Sequence, residues 1–116
     1  MSNGADLHDS VRSFADSCND NKQLMSMVAG WNRTIHVMST DVVCQATLKT
    51  NAGIVTMAPE LEGTPDLVIQ SDTEILAKVF YGEVSPNEPY NDGTLRIVGS
   101  ESDIVKLDFI TAMLWD

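Results

Sequence analysis

Basic residues are scarce in this sequence: 7 Lys and Arg stand against 17 Asp and Glu, a formal charge of −10. Such a chain repels a phosphate backbone at long range, so nucleic acid is not an expected partner. The charge is read instead as a means of keeping an apolar domain soluble. Cysteine is nearly absent. Cys18, in a helical pattern, and Cys44, in a strand pattern, are too few and too irregularly placed for a disulfide framework or a zinc site, and are expected to be reduced structural thiols. The two histidines, His8 and His36, stand far apart, outside any HxxxH or HExxH spacing, and are read as surface or edge residues. A GxSxG elbow, a phosphate-binding glycine loop and EF-hand spacing are all missing, and neither metal nor cofactor is expected.

Long apolar runs are missing too. A transmembrane helix needs about 20 consecutive apolar residues, so no stable membrane insertion is expected. Met1 to Asp6 lacks the basic start and apolar stretch of a signal peptide, and Ser2 departs from the N-myristoylation pattern, which makes the cytoplasm the expected address. Without a secretory leader, the acceptor-like Asn32-Arg33-Thr34 is a chance match.

What is present is a globular composition. The 116 residues, 43% hydrophobic and 21% charged, suit one domain, 1–116, with a single core. Residues 5 to about 29 carry helical spacing: Leu7, Val11, Phe14 and Ala15 form one stripe, Leu24, Met25, Met27 and Val28 a second, and Asn19-Asp20-Asn21 separates them. The period then changes to two. Ile35 and Val37 alternate with Thr34, His36 and Met38; after Ser39-Thr40-Asp41, Val42, Cys44, Ala46 and Leu48 share one face and Val43, Gln45, Thr47 and Lys49 the other. Asn51-Ala52-Gly53 signals a turn before a third strand over Ile54 to Ala58.

Pro59 to Pro65 reads as an acidic loop, and Leu67-Val68-Ile69 as a fourth strand of the same meander. Ser71-Asp72-Thr73-Glu74 has a capping-box pattern with Ser71 as the cap. The helix that follows pairs Ile75 with Val79 and Leu76 with Phe80, and Gly82 suits a left-handed cap. Residues 83–92, with Pro86 and Pro89, read as a loop or short broken helix closed at Asn91-Asp92-Gly93. Leu95 and Ile97 alternate with Arg96 and Val98 in a fifth strand, and Ser100 or Ser102 caps a final helix. This order predicts an α+β fold: a five-stranded, mainly antiparallel sheet with helices on one face and the other face exposed.

The final helix has more apolar surface than one sheet can cover. At about 100° per residue, Ile104, Leu107 and Trp115 fall on one side, Val105, Phe109 and Met113 opposite, and Ile110 and Leu114 on a third. Leaving large side chains in water forgoes about 1.5–3 kcal/mol each, so a second apolar surface must meet this helix: neighbouring helices, a partner subunit or an apolar ligand. Met25, Met27, Met38, Met57 and Met113 are adaptable fillers suited either to a core or to a pocket of variable contents. Glu60 and Glu62 read as solvated loop charges. Asp108, amid the apolar helix, is the single candidate for a buried catalytic carboxylate.

The second half of the chain resembles the sterol carrier protein 2 family. The likeness runs through Pro65-Asp66-Leu67-Val68-Ile69, the helix from Ser71 to Gly82, Pro86, the glycine-bounded strand Gly93-Thr94-Leu95-Arg96-Ile97-Val98-Gly99, and the closing segment from Val105-Lys106-Leu107 to Leu114-Trp115. Gly30-Trp31-Asn32-Arg33-Thr34 resembles the start of the sheet in short prokaryotic members. The resemblance implies an apolar tunnel between sheet and helices that binds fatty acids, fatty acyl-CoA or sterols. By position it implies a lining of Leu76, Val79, Phe80, Ile97, Phe109, Ile110, Met113 and Leu114, and no catalytic residue. Two departures are Thr94, where the family often has a basic residue, and Leu114-Trp115-Asp116, which lacks the peroxisomal address of eukaryotic members.

Two other readings compete. One is a small ketosteroid-isomerase-like enzyme, which needs a carboxylate base and a buried oxyanion donor for which only Tyr81 and Tyr90 are available. The other is an interaction module using the apolar C-terminal helix, the protein being a monomer or a homodimer.

Overall fold

The computed structural model describes residues 4–115; the side chains of Gly4, Ala5 and Trp115 lie outside that description, as do Met1, Ser2, Asn3 and Asp116, on which the leader and peroxisomal-address readings partly fall. Two helices open the chain, α1 (Gly4–Asn19) and α2 (Lys22–Met27), followed by strands β1 (Arg33–Ser39), β2 (Gln45–Asn51), β3 (Ile54–Ala58) and β4 (Leu67–Ser71). The helices α3 (Thr73–Tyr81) and α4 (Asn87–Asp92), the strand β5 (Arg96–Gly99) and the helix α5 (Glu101–Trp115) complete it. The sheet order is β3-β2-β1-β4-β5, and three of the four pairings are antiparallel.

The exception corrects the expected meander. β4 lies parallel to β1, with Ile35 opposite Leu67 and Val37 opposite Ile69, so the chain must cross the sheet between β3 and β4. Residues 59–66 make that crossing over the face turned away from the helices. Thr47 donates its hydroxyl to Glu60 O at 2.7 Å and accepts from Glu62 N at 2.9 Å, while His36 Nε2 donates to Glu62 O at 3.0 Å. Lys49 pairs with Glu62 at 3.2 Å. The outer face is therefore partly strapped rather than open, and His36, expected at a surface or edge, is buried on the central strand. Polarity follows alternation: Ile35, Val37, Ala46 and Leu48 face the helices, and His36, Thr47 and Lys49 face the strap.

The first hairpin also starts later than its pattern suggests. Val42 and Val43 lie in a bend, Val43 fully exposed, and β2 begins at Gln45. The bend is held by Asp41, whose carboxylate accepts from the Ser39 hydroxyl at 2.6 Å and from the Thr73 amide and hydroxyl at 3.0 and 2.7 Å. Strand hydrogen bonding resumes only beyond it. At the other end, Ala52 and Gly53 both have positive φ, 52° and 83°, in a two-residue hairpin turn whose twist matches the strands. A Cβ at Gly53 would meet Met25 O at 2.8 Å.

Helix α1 buries Leu7, Val11, Phe14, Ala15 and Cys18 at helical spacing against β2, β3 and α3. At its end Asn19 mimics a strand, accepting from Val55 N and donating to Val55 O, both at 2.8 Å, which occupies the β3 edge. Cys18 is buried deeply enough that its thiol is pushed up to about 12, and burial raises Cys44 as well. His8 is half-buried on α1, with Nε2 3.0 Å from Gln45 O.

The cap of α3 is Asp72, not Ser71: its side chain accepts from Ile75 N at 2.8 Å. Ser71 lies one residue before the cap position and is still sheet, its carbonyl taking Thr40 N and its hydroxyl turned to donate to Thr94 O at 2.7 Å. Glu74 pairs with Lys78 one turn on. Gly82 ends the helix in the left-handed region as expected, its amide reaching Val79 O at 3.0 Å.

One buried polar cluster joins the start of the sheet to α5. Trp31 Nε1–H donates to Asp103 Oδ1 at 2.8 Å, and Arg33 Nε lies 3.0 and 3.1 Å from the two carboxylate oxygens. The Arg33 guanidinium also stands 5.7 Å from the Trp31 ring. Burial opposes ionisation of Asp103, but the bonds from Trp31, Arg33 and Ser100 and the charge of Arg33 outweigh it and hold the carboxyl below its ordinary value. Removing it in Asp103→Ala strands a buried indole N–H and should cost about 3 kcal/mol in urea unfolding. The Asp41 carboxyl is likewise held down to about 2 by its bonds from Ser39 and Thr73. A depressed folded pKa means that the stabilisation is complete above the ordinary carboxylate range and is lost as pH falls through the folded value. A carbon-13 carboxyl titration should therefore place the Asp41 midpoint near 2.

Candidate functional site: a cleft between the sheet edge and the last three helices

The far side of the sheet is built differently from the α1 side. Beyond β1, the strands β4 and β5 carry Ile69 and Ile97 as register partners, and both turn toward the helices. Around them stand Val79 and Phe80 from α3, Pro86, Asn87, Tyr90 and Asn91 from the α4 segment, and Ile104, Leu107, Asp108 and Thr111 from α5. The α5 positions follow i, i+3, i+4, i+7, one helical stripe. Together with Phe14, Leu95 and Val105 they line an open cleft of about 290 Å³ that is mostly apolar.

Its floor is rigid. Phe14 and Phe80 meet edge to face with centroids 5.3 Å apart at 78°, both buried. Its roof is α4, a six-residue helix held between Pro86 and the left-handed Gly93, with Leu95 N donating to Pro89 O at 3.0 Å. A second chamber of about 310 Å³, lined by Gly82, Val84, Ser85 and Ala112, shares Pro86, Asn87, Asp108 and Thr111 with the first. The two are therefore neighbours with four residues in common, the first mostly apolar and the second more polar. Near the second chamber, the Tyr81 phenol is raised by burial and by the carboxylates of Asp9, Asp6 and Glu83.

The residues implied by the resemblance separate into three groups. Val79, Phe80 and Ile97 line the cavity. Leu76 and Ile110 are buried in the core, and Met113 and Leu114 pack against it. Phe109 is 58% exposed on the outer side of α5. The sequence reading missed Phe14, Ile69, Leu95, Ile104, Val105 and Leu107. For Ile104 and Leu107 the stripe shared with Asp108 and Thr111 was a usable signal; for Phe14 and Ile69 only the tertiary packing supplies one. Asp108, the candidate buried carboxylate, is exposed and sits where the two chambers meet. Tyr90 lines the cavity but is 42% exposed, and Tyr81 does not line it, so neither forms a buried oxyanion donor beside Asp108. Among the described residues, no group of His, Cys, Asp and Glu side chains could hold a metal ion.

The same layering occurs in solved structures. The sterol carrier protein domain 2 of Helicoverpa armigera superposes with a TM-score of 0.71 over 94% of this chain and 87% of its own, at 13% identity. The sterol carrier protein 2 fold is the fold of this chain. The palmitated sterol carrier-like protein of Aedes aegypti matches with a TM-score of 0.62, covering 96% of this chain and 95% of its own at 11% identity. The stereoselective inverting sec-alkylsulfatase Pisa1 from Pseudomonas sp. contains the same unit, with a TM-score of 0.61 at 16% identity over 79% of this chain, but this chain spans only 14% of that enzyme. No protein-family model matches the sequence, and no curated protein matches it. At these identities the sterol carrier fold is shared while the side chains of the cleft are this chain's own.

Because Phe80 forms both floor and core, truncating it should be costly. Phe80→Ala is expected to lower stability by about 3–5 kcal/mol in urea unfolding, through lost burial and a wider cavity.

Proposed function

We propose that the protein is a non-catalytic lipid binder that accepts the apolar part of a fatty acid, a fatty acyl-CoA or a sterol between sheet and helices and transfers it. The observation that carries this reading is the apolar cleft between β4–β5 and α3–α5, which supplies the second surface that the over-apolar α5 requires. Desolvating an apolar chain there gains about 25 cal/mol for each Å² removed from water, with the polar mouth left to fix the head. The sterol carrier folds of the palmitated mosquito protein and of the Helicoverpa domain support the same reading.

The cavity volume bears on the ligand. At about 290 Å³ it lies at the lower edge of the range of about 300–1,000 Å³ for small-molecule sites, which suits one extended alkyl chain better than a rigid sterol. Ile97 is the residue to alter, since it is half-buried on an edge strand and can be enlarged without a charge entering the core.

Native mass spectrometry of the purified protein, with lipid analysis of its organic extract, tests the proposal. A monomer or homodimer carrying a mass that leaves on extraction is the expected result. Ile97→Trp should remove that mass with the thermal midpoint preserved to within a few degrees. An empty protein that takes up no fatty acid, acyl-CoA, sterol or other single-chain amphiphile would overturn the reading, and an empty dimer would instead assign the exposed Phe109 side of α5 to a subunit contact.

A further inference from the structure

The second, more polar chamber shares Asn87 and, from α5, Asp108 and Thr111 with the apolar cavity, and Ser85 also lines it. No Lys, Arg or His is among the described residues that line either chamber. The cations are committed elsewhere: Arg33 to Asp103, Lys49 to Glu62, Lys78 to Glu74 and Arg12 to Asp9. Lys106 donates to Met27 O at 3.0 Å. Arg96 alternates with Ile97, which faces the cavity, and so stands on the opposite face of β5; Lys22 begins α2, which contributes to neither chamber.

The charges that do reach this end are negative. Asp108 is exposed at the junction, and among the described residues no donor is bonded to its carboxylate; the Thr111 hydroxyl is turned to Asp108 O at 2.9 Å. On the Tyr81–Glu83 side, the Tyr81 phenol is raised first by burial and then by the carboxylates of Asp9, Asp6 and Glu83. A carboxylate or phosphate head placed here would meet a like charge with no counter-ion, whereas a donor head would donate a charge-assisted hydrogen bond to the Asp108 carboxylate.

We infer that the two joined chambers form a site for a single-chain amphiphile whose head group is a hydrogen-bond donor, neutral or cationic, such as a long-chain alcohol or amine, and that Asp108 excludes anionic heads. The inference rests on the lipid-binding reading and narrows it: the free fatty acid and the acyl-CoA become the disfavoured members of the class.

Equilibrium dialysis of the whole chain with dodecylamine, dodecanol and dodecanoate, which share one alkyl chain, separates the head from the tail. Carried out below the critical micelle concentrations and near physiological ionic strength, it should show the amine and the alcohol binding about tenfold or more tighter than the carboxylate. Asp108→Asn should bring dodecanoate to within about threefold of the alcohol, and Asp108→Lys should reverse the order. Glu60→Gln, an equal change of net charge on the strap across the sheet, should leave the selectivity unchanged. Dodecanoate binding as tightly as the other two, or Glu60→Gln shifting the ratio as much as Asp108→Asn, would overturn the inference while leaving the carrier reading intact. Failure of all three amphiphiles to bind would overturn the inference, and failure to take up a sterol as well would overturn the carrier reading with it.

Discussion

The rotation of α5 about its own axis decides whether this fold encloses a cavity, and apolar contacts alone cannot set it. With large hydrophobic residues on nearly every side, the helix could bury several alternative stripes at similar gain. The Asp103 carboxylate removes that degeneracy. It is buried, so it must face its donors, and these are fixed in space at the entry to the first strand: the indole N–H of Trp31 just before it and the guanidinium of Arg33 at its start. Lys106, three residues on, ties the same turn to Met27 O. With those contacts made, Leu107 and Ile110 turn inward, Ile104, Asp108 and Thr111 face the cleft, and Phe109 is left outside. A polar cluster thus sets the orientation of an apolar element, because directional bonds discriminate between rotations that hydrophobic burial leaves nearly equal.

The second constraint is the parallel seating of β4 beside β1. It divides the sheet into an α1 half, where α1 packs directly on β2 and β3, and a β4–β5 half, where α3, α4 and α5 stand around Ile69 and Ile97. The two halves meet at the Phe14–Phe80 pair, which is simultaneously the end of the core and the floor of the cleft. The strap over residues 59–66 is the necessary consequence of that topology. Its bonds to Thr47, His36 and Lys49 satisfy polar groups on a face that would otherwise be open to water.

Several elements were legible in advance because their signals are local. The α1 stripe, the Asn51–Gly53 turn and the glycine cap of α3 follow from spacing and backbone preference, and the structure places each as the pattern indicates. The errors share one cause. Ser71 looked like a cap because its type and spacing were right, but the strand β4 runs through it and turns its hydroxyl toward Thr94 O, 23 residues away. Val42 and Val43 looked like strand, but Asp41 binds Thr73 and bends the chain there. His36 looked like an edge residue because nothing in the sequence announces the strap above it.

For the candidate site the boundary is sharper. Composition alone determined that the protein is acidic, and periodicity alone determined that it is a helix-covered sheet whose last helix needs a second apolar surface. Which side chains meet in the cleft was decided by tertiary structure: Ile69 and Ile97 come together through strand register, Phe14 arrives from the opposite end of the chain, and Asp108 reaches the mouth through the rotation fixed at Asp103. Periodicity states that a residue is apolar and on a face; it does not state which face is turned to the sheet. That choice belongs to long-range directional bonds, and their partners are set by the fold rather than by neighbours in sequence.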